Sequence, residues 1–198
     1  YEQTSFALRH AMGLLYYDGV TAAPKGAAAV RGDTTGELSR IDYQLTTAPD
    51  TVEMLETLMA ARSELDDVTR RKVEEYWRSY DRTRRIPEEE FVAYQRLSIK
   101  ADDVWQTAKE TNDFALFEPY LQEMFDTLKR FALYWEPDKA PYETLLDNYE
   151  RGLTVAACDQ FFAALRQKLV PLIQRVTAHA DRVDDAPLHR DYPVAIQR

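Results

Sequence analysis

The sequence predicts an all-α fold, an antiparallel helical bundle or array. Three observations carry this. Apolar residues recur at steps of three and four along most of the chain, which is the spacing of one helical face. Start and stop signals for helices bracket those stretches. No stretch shows the two-residue alternation and tight turns of a hairpin, and there is no internal repeat or low-complexity tract.

Taken in order, Phe6, Met12, Leu14 and Leu15, with Ala7 and Ala11, predict a first helix ending near Tyr17, before a turn-rich run from Asp18 to Gly26. A second helix is expected from about Ala27 to Leu45. Its Gly32 and Gly36 lie four apart, so they either permit a close helix contact or weaken the helix. Asp50 and Glu53 have the spacing of a capping box and predict a shorter helix through Met59.

Val73, Tyr76, Trp77 and Tyr80 mark the next stripe, which must stop before Pro87 because a residue preceding proline is pushed out of helical geometry. Pro87 followed by Glu88, Glu89 and Glu90 reads as a helix start, with acids set against the positive end of the dipole. Phe91, Tyr94, Leu97, Ala101, Val104, Trp105 and Ala108 continue that helix. The short loop between these two helices predicts an antiparallel hairpin. Asn112 and Asp113 read as a turn and cap. Pro119 then opens a helix carrying Leu121, Met124, Phe125, Leu128, Phe131 and Trp135, with Pro137 and Pro141 ending it.

The run from Tyr142 to Ile173 is the most informative stretch. Gly152 follows LLDNYER at a place where a left-handed residue would close a helical turn without a Cβ penalty. Thr154 is placed to cap the next helix. Cys158, Phe161, Phe162, Leu165, Leu169, Leu172, Ile173 and Val176 then form one apolar face, with Pro171 expected to kink or loosen a turn.

The order Y-x-x-L-L-D-x-Y-E-x-G-(L/M)-T in this stretch, carried by Tyr142, Leu145, Leu146, Asp147, Tyr149, Glu150, Gly152 and Thr154, resembles the carboxypeptidase Taq family of zinc metallocarboxypeptidases. NDFALFEPYLQEMFDTLKRFA is similar to a second family segment through Asn112, Asp113, Phe114, Phe117, Pro119 and Leu121. A third similarity lies in LLYYDGVTAAPKGAAAVRGDTTGELS, through Asp18, Thr21, Pro24 and Gly26, with Arg31 and Leu38 beyond; Tyr17 and Ala23 stand where the family usually has Trp and often Met. The resemblance implies that residues 1–198 are one helical region, the N-terminal part of a larger zincin-like peptidase that takes residues singly from peptide C-termini. It also implies that zinc belongs to the parent protein, in an H-E-x-x-H helix with a further Glu, and is not bound by this chain. Since the chain starts without Met inside a predicted helix, a truncated or proteolysed piece is expected.

A net charge of -9 argues against nucleic acid or an anionic membrane as partner. One cysteine rules out an intrachain disulfide and suits a reducing, cytoplasmic compartment. No apolar run approaches the length that spans a bilayer, and no signal-peptide pattern is visible at Tyr1.

No residue is assigned a catalytic or metal-ligating role, and no substrate-binding residue is named. The three histidines are His10, His179 and His189; none precedes Glu, and no two are four apart, the spacing that two ligands on one helical face require. Residues three before them are Ala7, Val176 and Ala186, so the Glu-x-x-His pairs of a di-iron bundle are absent too. His10 reads as a packed helix residue. His179 and His189 flank a loop with Asp181, Asp184, Asp185 and Asp191, whose oxygen spacing is not that of a calcium loop; a solvated linker is expected. Arg82, Arg84 and Arg85, near Arg70, Arg71 and Lys72, read as a solvated helix face, with carboxylate binding as the other option. Cys158 falls on the apolar stripe and is expected to be an inert core thiol. Asp147, Tyr149 and Glu150 have the residue types of an acid–base group, but without a nucleophile nearby they read as a loop anchor.

The expected partners are peptides, the remaining C-terminal part of the same protein, and a second copy in a homodimer. The other reading is a stand-alone helical interaction domain without catalysis. An apolar face stripped of its covering would exceed the patch size that a monomer tolerates.

Overall fold

Side-chain capping and proline positions set the helix ends. In the computed structural model, which describes residues 1–24, 26–182, 184–193 and 195, the first six long helices are α1 (Glu2–Thr21), α2 (Ala28–Thr47), α3 (Pro49–Ala60), α4 (Asp67–Arg85), α5 (Glu88–Thr111) and α6 (Glu118–Trp135). They are followed by α7 (Pro141–Tyr149) and α8 (Val155–Thr177), and no strand occurs among the described residues. The all-α class is as the sequence predicts. The chain forms two compact units, Tyr1–Leu145 and Leu146–Arg198.

Several predicted boundaries hold for the predicted reason. Pro87 flanks α5, whose first turn carries Glu88, Glu89 and Glu90. Asn112 closes α5 in the left-handed region at φ 54°, and Asp113 accepts the Ala115 N–H to cap a short 3-10 turn, Phe114–Leu116. Thr154 accepts the Ala157 N–H at 3.1 Å, starting α8. Pro171 lies inside α8, which remains one helix from Val155 to Thr177.

Other boundaries differ. α1 continues past Tyr17 to Thr21: the Thr21 hydroxyl donates to the Tyr17 carbonyl at 2.6 Å, and the Ala22 N–H reaches the Asp18 carbonyl. Asp50 does not cap α3. Pro49 occupies the first turn instead, and Asp50 sits behind it as an acid near the positive dipole end. Pro141 begins α7 rather than only ending α6.

The predicted hairpin of α4 and α5 is also corrected. These helices share little packed surface; α5 lies chiefly along α2, while α4 packs against α3 and α2. Facing side chains account for this. Gly32 and Gly36 present no Cβ to α5, where Arg96 and Ile99 lie over them, so the glycine pair serves close contact. Arg40 of α2 donates to Glu88 at 2.8 Å and to Glu89 at 2.9 Å, tying α2 to the start of α5. Tyr43 donates to the Ile86 carbonyl at 2.8 Å and its ring packs on Phe91.

α6 packs against α5 and touches α4. Its Trp135 indole donates to the Arg82 carbonyl at 3.0 Å, the Arg82 guanidinium lies 4.8 Å from the Trp135 ring, and Arg85 donates back to the Trp135 carbonyl. The basic run at 82–85 is therefore an α4–α6 clamp as well as a solvated face. The core of this unit is built from small residues: Ala28, Ala101, Ala108 and Ala132 are buried beside Ser5, Ser39, Thr46 and Thr51, with Leu55 and Val92 among the few large side chains fully enclosed.

Candidate functional site

In the turn after α7, the Gly152 N–H donates to Asp147 Oδ1 at 2.9 Å and the Leu153 N–H donates to the Glu150 carbonyl at 3.0 Å. Gly152 has φ +79°, the region that favours glycine. Tyr149 is 86 % exposed and Glu150 is exposed too. The three residues therefore do not form a buried acid–base group. Asp147 fastens the turn, as its sequence context suggests.

The other candidates are scattered. His10 is exposed and stacks on Phe6, ring centres 5.9 Å apart. His179 is exposed beyond the end of α8. His189 Nε2 lies 3.0 Å from Asp185 Oδ2, and Asp184 accepts the Ala186 N–H, so these two acids hold a local turn. Asp191 is exposed. Among the described residues, no group of three or more His, Cys, Asp or Glu side chains is placed to hold a metal ion.

Cys158 is half-buried rather than a core thiol. α8 has no buried residue, and Phe161, Phe162, Leu172, Ile173 and Val176 on its apolar stripe are exposed. The periodicity located an apolar face correctly, but in this chain that face is uncovered.

The acids at the start of α5 are occupied structurally. Glu89 is held below the usual carboxylate range by its hydrogen bond from Arg40. Glu90 accepts the Tyr134 hydroxyl at 2.8 Å, which together with burial pushes that phenol upward.

Among the described residues, a concave feature with both apolar and polar walls lies between α1, α2 and α5. It encloses about 330 Å³, with Met12, Leu15, Val20 and Ile99 among its apolar walls and Arg31, Thr35, Gln95 and Asp102 among its polar ones. Arg31 reaches it because α1 carries glycine opposite: a Cβ at Gly19 would stand 3.2 Å from Arg31 Nε and Cζ. Thr35 follows one helical turn later, on the same face of α2. It is 8 % exposed, and its hydroxyl has no hydrogen-bond partner. The sequence pointed to Arg31 only through family resemblance and gave no reason to select Thr35, since three separated helices create the cavity.

Comparison with known proteins places these features in context. The family profile described as carboxypeptidase Taq (M32) metallopeptidase matches residues 1–198. Carboxypeptidase 1 of Bacillus subtilis (strain 168) is 34% identical over 188 residues, which cover 95% of this chain and 38% of that protein. Thermostable carboxypeptidase 1 of Pyrococcus furiosus is 30% identical over 186 residues, covering 94% of this chain and 37% of its own length. The crystal structure of the protein called BsuCP superposes with a TM-score of 0.89 at 34% identity, over 96% of this chain and 38% of that one. The chain thus spans well under half the length of the relatives it matches.

Proposed function

From the premise that the chain belongs to the carboxypeptidase Taq (M32) metallopeptidase family, we propose that it is the N-terminal helical wall of a zinc-dependent metallocarboxypeptidase that releases C-terminal amino acids from peptides. In this reading the chain is catalytically silent alone. The observation that carries the proposal is the asymmetry of coverage: nearly all of this chain aligns with carboxypeptidase 1 of B. subtilis, yet only 38% of that protein is accounted for.

The sequence contains no H-E-x-x-H, and no step of hydrolysis is assigned to its residues. Their part is shape: an α1–α6 scaffold that fixes one wall of a groove whose reactive residues come from the remainder of the protein. The uncovered stripe on α8 is the natural place for that remainder, or for a second copy in a homodimer, to pack. The lone thiol and the acidic balance suit a cytoplasmic enzyme acting on peptides rather than nucleic acid or membrane. No helix among the described residues is long and apolar enough to cross a membrane.

The same exposed stripe favours a second reading, a stand-alone helical interaction domain. Translating the gene past codon 198 separates the two. An H-E-x-x-H with a downstream Glu supports the peptidase wall; a stop codon there supports the interaction domain.

A further inference from the structure

We propose that the cavity between α1, α2 and α5 is a binding site for a small carboxylate carrying an apolar body, with Arg31 and Thr35 receiving the carboxylate. The proposal uses only residues of the first compact unit and does not rest on the peptidase reading.

The first observation is the Thr35 hydroxyl. Several helical threonines of this protein return their hydroxyls to the carbonyl four residues back: Thr21 to Tyr17, Thr34 to Val30, Thr47 to Tyr43 and Thr111 to Thr107. Thr35, next to Thr34 in the same helix, does not, although it is more than nine-tenths buried and lines the cavity. A buried hydroxyl without a partner is unfavourable. An acceptor arriving in the cavity would satisfy it.

The second observation is the state of Arg31. Arg40 and Arg96, on the same helix pair, each meet acidic side chains within 3.0 Å. Arg31 is half-buried and makes no hydrogen bond or ion pair among the described residues. Its guanidinium lies against α1 at Gly19, where a Cβ would stand 3.2 Å from Nε and Cζ. A planar guanidinium fork matches a carboxylate with two parallel N–H···O bonds, and the neighbouring hydroxyl supplies a third donor.

The walls determine the rest of the ligand. Met12, Leu15, Val20 and Ile99 offer an apolar lining, and about 330 Å³ suits a small molecule rather than a peptide chain. Asp102 also lines the cavity, with Oδ2 accepting from Gln106. That acid distinguishes two sources of the same chemistry: a simple aliphatic acid would leave it unused, while a free amino acid would place its ammonium there.

The test is calorimetric titration of the 198-residue chain with 4-methylpentanoate and with L-leucine, which share the same apolar body. Saturable one-to-one binding of at least one is expected. Arg31→Gln should weaken it by about tenfold or more, the loss of a charge-assisted pair. Thr35→Val should weaken binding several-fold while leaving the free chain at least as resistant to heat, which a merely structural hydroxyl would not do. Tighter binding of leucine, erased by Asp102→Asn, identifies a free amino acid; equal binding identifies a simple carboxylate. If either variant unfolds, ligand-induced amide shifts in the unaltered chain should cluster at residues 31, 35 and 99. No binding of either probe at millimolar concentration, binding indifferent to both variants, or shifts clustering elsewhere would overturn the proposal.

Discussion

A Cβ built on Gly36 would stand 2.6 Å from Nε of Arg96, the closest approach that α5 makes to any glycine of α2. Arg96 is fixed there by Glu37, which accepts from Nη2 at 3.0 Å, so the guanidinium cannot swing away without losing that bond. Gly36→Ala should therefore destabilise the chain, because overpacking costs about 1–3 kcal/mol and exceeds the helical gain of alanine. Gly13, inside α1 with nothing within 4 Å, is the control; Gly13→Ala should stabilise by about 0.5–1 kcal/mol. Urea unfolding of both variants checks the pair, and effects of the same sign would contradict the α2–α5 contact.

Asp147 and Gly152 make the next prediction. With Gly152 at φ +79°, Gly152→Ala should cost about 1–2 kcal/mol, the left-handed penalty of an L-residue. Asp147→Ala should accelerate hydrogen exchange at the Gly152 amide, and Asp147→Asn, which keeps an acceptor oxygen, should largely restore protection. Unchanged exchange in Asp147→Ala would remove Asp147 from its role as turn anchor.

Stability should fall in acid through two carboxylates, Asp66 at the N-cap of α4 and Asp81 within it. Asp66 is held below the ordinary range by bonds from the Thr69 hydroxyl and from the Thr69 and Val68 N–H groups. Burial pushes Asp81 up, but the bonds from Arg84 and Arg85 outweigh it and leave the group low. A depressed folded pKa contributes stability that is present above the unfolded value and disappears as pH falls through the folded one. Thermal unfolding below the ordinary aspartate range should thus show a steep acid loss, shallower in Asp66→Asn and Asp81→Asn. Curves parallel to the unaltered chain would contradict both assignments.

The open face of α8 predicts self-association. Phe161 is 60% exposed and Ile173 59%, an apolar stripe of the kind that monomers seldom leave bare. Sedimentation should show concentration-dependent association that Phe161→Ser with Ile173→Ser reduces. A clean monomer at high concentration would contradict this.

Much of the fold was legible because its signals are local. Thr154, Gly152, Asp113 and the Pro87 helix start act on backbone groups within a few residues, so sequence distance and spatial distance coincide. Where local signals compete, one overrides the other: Pro49 takes the first turn of α3 and leaves Asp50 behind the cap, and α1 continues beyond Tyr17, where the Thr21 hydroxyl bonds back to the Tyr17 carbonyl. Partner choice was the larger gap. Periodicity marks which face of a helix is apolar but not what covers it, so it does not reveal that α5 packs on α2 rather than α4, or that the stripe bearing Cys158 lies outside a core. The Arg31–Thr35 cavity was hidden for the same reason, being assembled from α1, α2 and α5.

The most direct test is release of C-terminal amino acids from a peptide by the purified 198-residue chain with zinc added. No release above a buffer control is expected, since the proposed reading places the water-activating residues outside these 198. Zinc-dependent turnover by this chain alone would contradict it.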